Sequence, residues 1–277
     1  MLKRSITGFI LAAVMIIAIY GHLISALILF LVILIFSSIE WSQNFIPTEI
    51  KQTRLYFLYA SLLTGILLIL IPSHLIGHPE MSTIFFLGIF ACTILYYFID
   101  FTFRADPNQK KIPEWQAGVL YIGMPLIIGI MLLMSNFYVN RKILLGMIAI
   151  NWASDVFAYI GGRLIGKTAL APAISPKKTV EGFISGGLAA ILVGFLLNTY
   201  FYSEKMDMLP SIFFSIGIWV AGTAGDLFES RLKRIIGIKD SGNLLPGHGG
   251  FLDRFDSFFF IIPTGTIIYL FFKMYYQ

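Results

Sequence analysis

The sequence predicts an all-α, polytopic integral membrane protein with about nine transmembrane helices. Three observations carry that expectation. Of 277 residues, 57% are apolar and only 13% are charged, far from the balance of soluble domains. Apolar runs long enough to cross roughly 30 Å of hydrocarbon recur from end to end. The lysines and arginines gather in the segments between them, as positive residues do on the cytoplasmic side of a membrane. A single membrane-embedded domain over residues 1–277 accounts for the whole length, with no room for a separate soluble domain.

Taken in order, the runs lie near 6–20, 23–38, 55–72, 82–99, 117–135, 143–160, 180–200, 210–226 and 257–274. The first two are separated only by Gly21 and His22. A single helix through both would be about 50 Å long, too long for one crossing, so two short spans are expected. Lys3 and Arg4 before the first run imitate a signal peptide, but a second run follows at once without a convincing cleavage site, which predicts a retained span. Nine spans place the N-terminus and the loops near 39–54, 100–116, 161–179 and 227–256 on one side. That side holds 16 of the 20 Lys and Arg residues, all but Arg141, Lys142, Lys205 and Lys273. Merging the first two spans would weaken the bias to 14 against 6. The expected N-terminus is therefore cytoplasmic. Residues 1–135 read mainly as scaffold, and 143–277 is expected to carry the active site.

The net charge of +5 does not indicate nucleic acid, because that reading needs a basic face on a water-soluble surface. Anionic headgroups and phosphates are the fitting partners. The single cysteine, Cys92, lies in an apolar run and excludes an intramolecular disulfide or a cysteine metal cluster. His22, His74 and His78 fall on the non-cytoplasmic side, so cytoplasmic histidine chemistry would have to use His248.

Two cytoplasmic loops carry the candidate chemistry. In the first, Asp155 stands near the end of an apolar run, where an ionisable group is costly and suggests function; pairing with Arg163 or helix capping is the structural alternative. Gly161, Gly162, Gly166 and Lys167 do not match the spacing of a phosphate loop. Ser175 and Pro176, before Lys177, Lys178 and Thr179, predict an extended turn entering a helix near Thr179. A phosphate there would meet both backbone donors and two ammonium groups, although the lysines would also serve as headgroup anchors. The second loop mixes Asp226, Glu229, Asp240, Asp253 and Asp256 with Arg231, Lys233, Arg234, Lys239 and Arg254. That mixture suits a hard cation on oxygen ligands together with several phosphates. Asp253 and Asp256, three apart at the expected start of the last span, would face the same way on a helix. Asp226 ends the preceding span, so the three could converge. Three Asp without Cys favour Mg²⁺ or Mn²⁺ over zinc. Pro246, Gly247, His248, Gly249 and Gly250 form a turn of little bulk that admits a ligand to the backbone.

Ser230, Lys233 and Arg234, Lys239 and Asp240, Gly242, Leu245 and Pro246, His248 to Gly250, and Asp253 to Asp256 together resemble the signature of the phosphatidate cytidylyltransferase family. No signature position departs. Ile174 to Gly182, ISPKKTVEG, resembles the family's second recognisable stretch. The chain departs from the family after Asp155, where Val156 and Phe157 replace a hydroxyl-bearing and a small residue.

The resemblance implies transfer of CMP from CTP to phosphatidate, giving CDP-diacylglycerol and pyrophosphate for phospholipid synthesis. It implies Asp226, Asp253 and Asp256 on Mg²⁺, with Mn²⁺ an alternative and a second cation, of which monovalent K⁺ is one candidate. Lys233 and Arg234 would neutralise phosphates within the catalytic set, with Ser230 and His248 orienting them. Ser175, Lys177, Lys178, Lys239, Asp240, Arg254 and Asp155 would line the substrates. The expected partners are CTP, phosphatidate and membrane lipids, with a homodimer left open and no nucleic acid. Two rivals remain: a CTP-dependent polyprenol kinase, and a secondary transporter using Asp155 and broken helices.

Overall fold

The computed structural model describes residues 2–45, 118–202, 204, 206–242 and 249–276. Its described elements are helical except for one small hairpin. In order they are α1 (Leu2–Gly21), α2 (Leu23–Phe45), a π-helical turn (Val119–Gly123) running into α3 (Met124–Ser135), α4 (Phe137–Ile165), strands β1 (Ala169–Ala171) and β2 (Ser175–Thr179), α5 (Val180–Tyr200), α6 (Met208–Ile235), a 3-10 turn (Leu252–Arg254) and α7 (Phe258–Tyr276).

Four of these helices, α2, α4, α5 and α6, are long and apolar enough to cross a membrane. Shorter apolar stretches lie at Thr7–Gly21, Leu120–Ser135 and Phe258–Lys273. Apart from that hairpin, the described residues are thus those of a helical membrane protein. The runs expected near 55–72 and 82–99, with Cys92, lie outside the described residues, as do the loop near 100–116, His74 and His78. Apolar side chains turn outward along the helices, as at Leu188, Leu192 and Phe195 of α5, each more than half exposed. An aqueous surface would penalise that face, whereas hydrocarbon matches it.

The chain divides into two compact units. The first joins residues 1–135 to 232–255. There α2 packs on α3 and on the π-helical turn before it, the Trp41 ring lying 4.5 Å from that of Phe45 on α2 and 5.5 Å from that of Tyr121 in the turn. The second unit joins 136–231 to 256–277. Its most extensive helix pair is α4 with α5. Gly182 and Gly186, one turn apart on α5, make that approach close. A Cβ on Gly182 would lie 2.6 Å from the Ala158 carbonyl, and one on Gly186 would lie 2.8 Å from that of Ser154. Helices in lipid associate through such small-residue seams because no hydrophobic effect drives them together.

Several sequence expectations need correction. The helix α2 does not stop near residue 38 but continues to Phe45, where Glu40 and Asn44 find partners on the second loop inside the first unit. The helix that carries Asp226 does not end there. α6 runs on to Ile235, where Gly237, at φ 77°, closes the helix and lets the Gly237 and Ile238 N–H groups bond back to the Arg234 and Lys233 carbonyls. Asp253 and Asp256 do not share a helical face. Asp253 lies in the 3-10 turn, Asp256 follows in a turn, and α7 begins only at Phe258. The reason is local: the Asp253 carboxylate turns back onto the N–H groups of Ser241 and Gly250, which the regular first turn of a helix would not permit. The extended entry to α5 is correct, but it is one strand of a β1–β2 hairpin. The chain break at His22 falls where expected.

Candidate active site

In the second unit, a chain of local contacts fixes the phosphate-binding candidate of the first loop. Thr179 caps α5, its hydroxyl accepting from the Gly182 N–H at 3.1 Å. Glu181, in the first turn, accepts from the Lys167 N–H at 3.0 Å and from the Thr168 N–H, and so ties the start of the hairpin to the helix. With β2 fixed, Lys177 and Lys178 point to opposite sides, as consecutive strand residues must. Lys177 is exposed, whereas Lys178 forms an ion pair with Asp226 on α6.

Around that pair stand three further polar side chains. Ser230, one turn along α6, donates to Asp226 Oδ1 at 3.2 Å. Asp155 on α4 is within electrostatic reach of Lys178, Asp256 and Asp226, and its Oδ2 accepts from Asn151 Nδ2 at 3.1 Å. Asp256 is brought in by Gly225: a Cβ there would lie 2.7 Å from the Asp256 carbonyl oxygen, so only glycine lets α6 press so closely on that backbone. Ser257 stitches the same contact, donating from Oγ to the Gly222 carbonyl at 3.0 Å. The second unit therefore gathers Asp155, Lys178, Asp226, Ser230 and Asp256. Ser175 lies nearby in sequence at the start of β2, half-buried.

In the first unit, the second loop is built around two carboxylates. Asp253 Oδ1 accepts from the Lys233 ammonium at 2.6 Å, both side chains being at least nine-tenths buried. Its Oδ2 accepts the Ser241 and Gly250 N–H groups, each at 2.9 Å. Arg234, Lys239, Asp240 and Arg254 are exposed, with Arg234 Nη1 donating to the Ile238 carbonyl at 3.1 Å. His248, Leu245 and Pro246 lie outside the described residues.

Sequence reasoning missed Glu40, Asn151 and Glu181. Glu40 is only 2% exposed, and its carboxylate lies under the second loop. It was legible by the argument that singled out Asp155, an acid at the end of a long apolar run. Glu181 was legible as an acid in the first turn of the helix expected to begin near Thr179.

Among the described residues, no three carboxylate, histidine or cysteine side chains stand ready to hold a metal ion. The donor chemistry nevertheless fits a hard cation. Asp155, Asp226 and Asp256 present only oxygen, and the Lys178 ammonium supplies the positive charge among them. Asp253 offers about four acceptor positions, of which the three donors above take most.

A sequence model of the cytidylyltransferase family matches residues 2–273. The chain belongs to that family. Among curated relatives, a phosphatidate cytidylyltransferase of Staphylococcus epidermidis is 43% identical over 151 residues, which cover 54% of this chain and 56% of the relative. One of Staphylococcus haemolyticus is 48% identical over 117 residues, covering 42% and 45%. One of Rickettsia bellii is 36% identical over 224 residues, covering 76% and 89%. The match thus spans about half the length of the two staphylococcal relatives and most of the rickettsial one.

Proposed function

We propose that the protein is a phosphatidate cytidylyltransferase, transferring CMP from CTP to phosphatidate to give CDP-diacylglycerol and pyrophosphate. The observation that carries the reading is the Asp155, Lys178, Asp226, Ser230 and Asp256 cluster, assembled in a chain of the cytidylyltransferase family. A phosphatidate oxygen attacks the α-phosphorus of CTP, the new P–O bond forms, and the bond to the bridging oxygen of the β-phosphate breaks with release of pyrophosphate. Because the nucleophile is already ionised, no general base is required, and the barrier is one of alignment and charge.

Lys178, drawn to Asp226 by β2, presents its ammonium to an incoming phosphate. Ser230 holds the Asp226 carboxylate in one rotamer. Lys177, Arg234, Lys239 and Arg254 offer exposed cationic heads to the triphosphate and the lipid phosphate. Ser175 in the second unit, Asp240 in the first, and His248 are each expected to contact substrate, and Lys233 fixes Asp253. In the second unit Asp226 and Asp256 would hold Mg²⁺ or Mn²⁺, with K⁺ a candidate for a second cation; Asp253, in the first unit, is the third carboxylate that the family resemblance assigns to this role. Such an ion, once bound, would neutralise the triphosphate and stabilise the leaving group. The site would face the cytoplasm of a bacterial cell membrane, with the N-terminus on the same side, because the positively charged loops carry it.

Purified protein incubated with CTP, phosphatidate and Mg²⁺ should release pyrophosphate and form a CDP-lipid that partitions into organic solvent. Release of CDP with a newly phosphorylated lipid would support a CTP-dependent kinase instead.

A further inference from the structure

One buried acid in the first unit is not used by the reaction above. Glu40 belongs to the face of α2 formed by Phe36, Glu40 and Asn44, each one turn from the next. Every member of that face touches the second loop. The Phe36 ring lies 5.3 Å from that of Phe251. Asn44 Nδ2 donates to the Ser241 carbonyl and, at 2.8 Å, to the Glu40 carbonyl. Glu40 itself accepts three bonds: Phe251 N–H on Oε1 at 2.7 Å, Leu252 N–H on Oε2 at 2.8 Å, and the Ser241 hydroxyl on Oε2 at 2.9 Å.

Asp253 holds the same stretch by its remaining donors, the Ser241 and Gly250 N–H groups. Two carboxylates thus share five donors from residues 241 and 250–252, and Ser241 gives one to each. The glycines at both ends follow from this. A Cβ on Gly242 would lie 2.6 Å from Glu40 Oε1. One on Gly250 would lie 2.7 Å from Glu40 Oε2 and 1.8 Å from Ser241 Oγ. An apolar side chain would pack α2 against the loop with less desolvation cost, so a buried carboxylate here indicates that backbone position is being specified.

We propose that Glu40 is a positioning residue for CMP transfer: from α2 it clamps Ser241 and the Phe251–Leu252 backbone, and so sets the turn that presents Asp253. The inference rests on the proposed function for its catalytic part, while the clamp itself is testable without activity. Glu40→Gln keeps the shape but leaves only one acceptor oxygen, Glu40→Ala removes both, and Ser241→Ala removes one bond. Hydrogen exchange on the full-length protein in detergent reads the Phe251 and Leu252 amides. Activity is normalised to monodisperse, folded protein.

Exchange at those amides should quicken at least tenfold in Glu40→Ala and less in Glu40→Gln. kcat should fall about tenfold or more in Glu40→Ala, with partial rescue in Glu40→Gln, while KM for CTP and for phosphatidate moves less than threefold. Ser241→Ala should add less loss to Glu40→Gln than it causes alone, because the two share a bond. Unchanged exchange in both Glu40 variants overturns the clamp, and quickened exchange with wild-type kcat overturns the positioning role. If neither Glu40 variant folds, Ser241→Ala decides on the same two readouts. A wild-type protein that exchanges as described but makes no CDP-lipid would count against the proposed function and leave the clamp standing.

Discussion

Lys233→Met removes the cation from the buried ion pair beneath the second loop while keeping most of the side chain's volume. The Lys233 and Asp253 side chains are 10% and 6% exposed, and the pair is 2.6 Å apart, so solvent screens it little. Removing one partner of such a pair costs about 3–5 kcal/mol, because the remaining charge stays buried. Asp253 keeps its bonds from the Ser241 and Gly250 N–H groups, which places the expected loss at the lower end, about 3 kcal/mol. At 1.36 kcal/mol per power of ten, that shifts the opening equilibrium of the turn by roughly 100-fold. Hydrogen exchange at the Ser241 and Gly250 amides reads this directly, whether or not Lys233 also touches substrate. Exchange should quicken by about two powers of ten in Lys233→Met. The neutral pair Lys233→Met with Asp253→Asn should recover part of the lost thermal stability. Wild-type exchange rates at both amides in Lys233→Met would refute the reasoning.

Further outcomes follow from the second unit. Asp226→Asn and Asp256→Asn should each lower kcat by about 100-fold or more in folded protein, and chelation of divalent ions should abolish turnover until Mg²⁺ is restored; retained activity in both variants would remove them from the metal site. Lys178→Met should raise the KM for CTP several-fold more than Lys177→Met, because only Lys178 turns toward Asp226; equal effects would contradict the strand geometry. Gly225→Ala should cost about 1–3 kcal/mol through overpacking against the Asp256 carbonyl, seen as a lower melting temperature in detergent together with reduced activity. Thr179→Ala should cost only about 1 kcal/mol, the worth of a helix cap, with a small change in turnover.

The helices were legible because long apolar runs and positive loops are properties of composition, and α5 begins and ends where its run does. Their polar extensions were not. The C-terminal parts of α2 and α6 carry Glu40, Asn44 and Lys233, whose partners lie elsewhere in the first unit. Asp226, Asp256, Lys178 and Asp155 were recognisable as costly charges near a membrane boundary, and the second unit gathers them. The difference between Lys177 and Lys178 was hidden, since it required knowing that Ser175–Thr179 is a strand. Asp253 illustrates the deeper limit. Its type and spacing suggest a ligand on a helix; its partners Lys233, Ser241 and Gly250 show that it also organises the loop, and only the tertiary path of the chain reveals that.

The central claim is that the group moved is the cytidylyl group and that the site gathered around Asp226 moves it. Parallel reactions with CTP labelled at the α- or the γ-phosphorus, phosphatidate and Mg²⁺, followed by organic extraction, test it most directly. α-Label should enter the lipid phase and γ-label should appear in aqueous pyrophosphate, with both signals lost in Asp226→Asn. Lipid carrying γ-label, or α-label that remains wholly aqueous with every divalent ion tried, would contradict it.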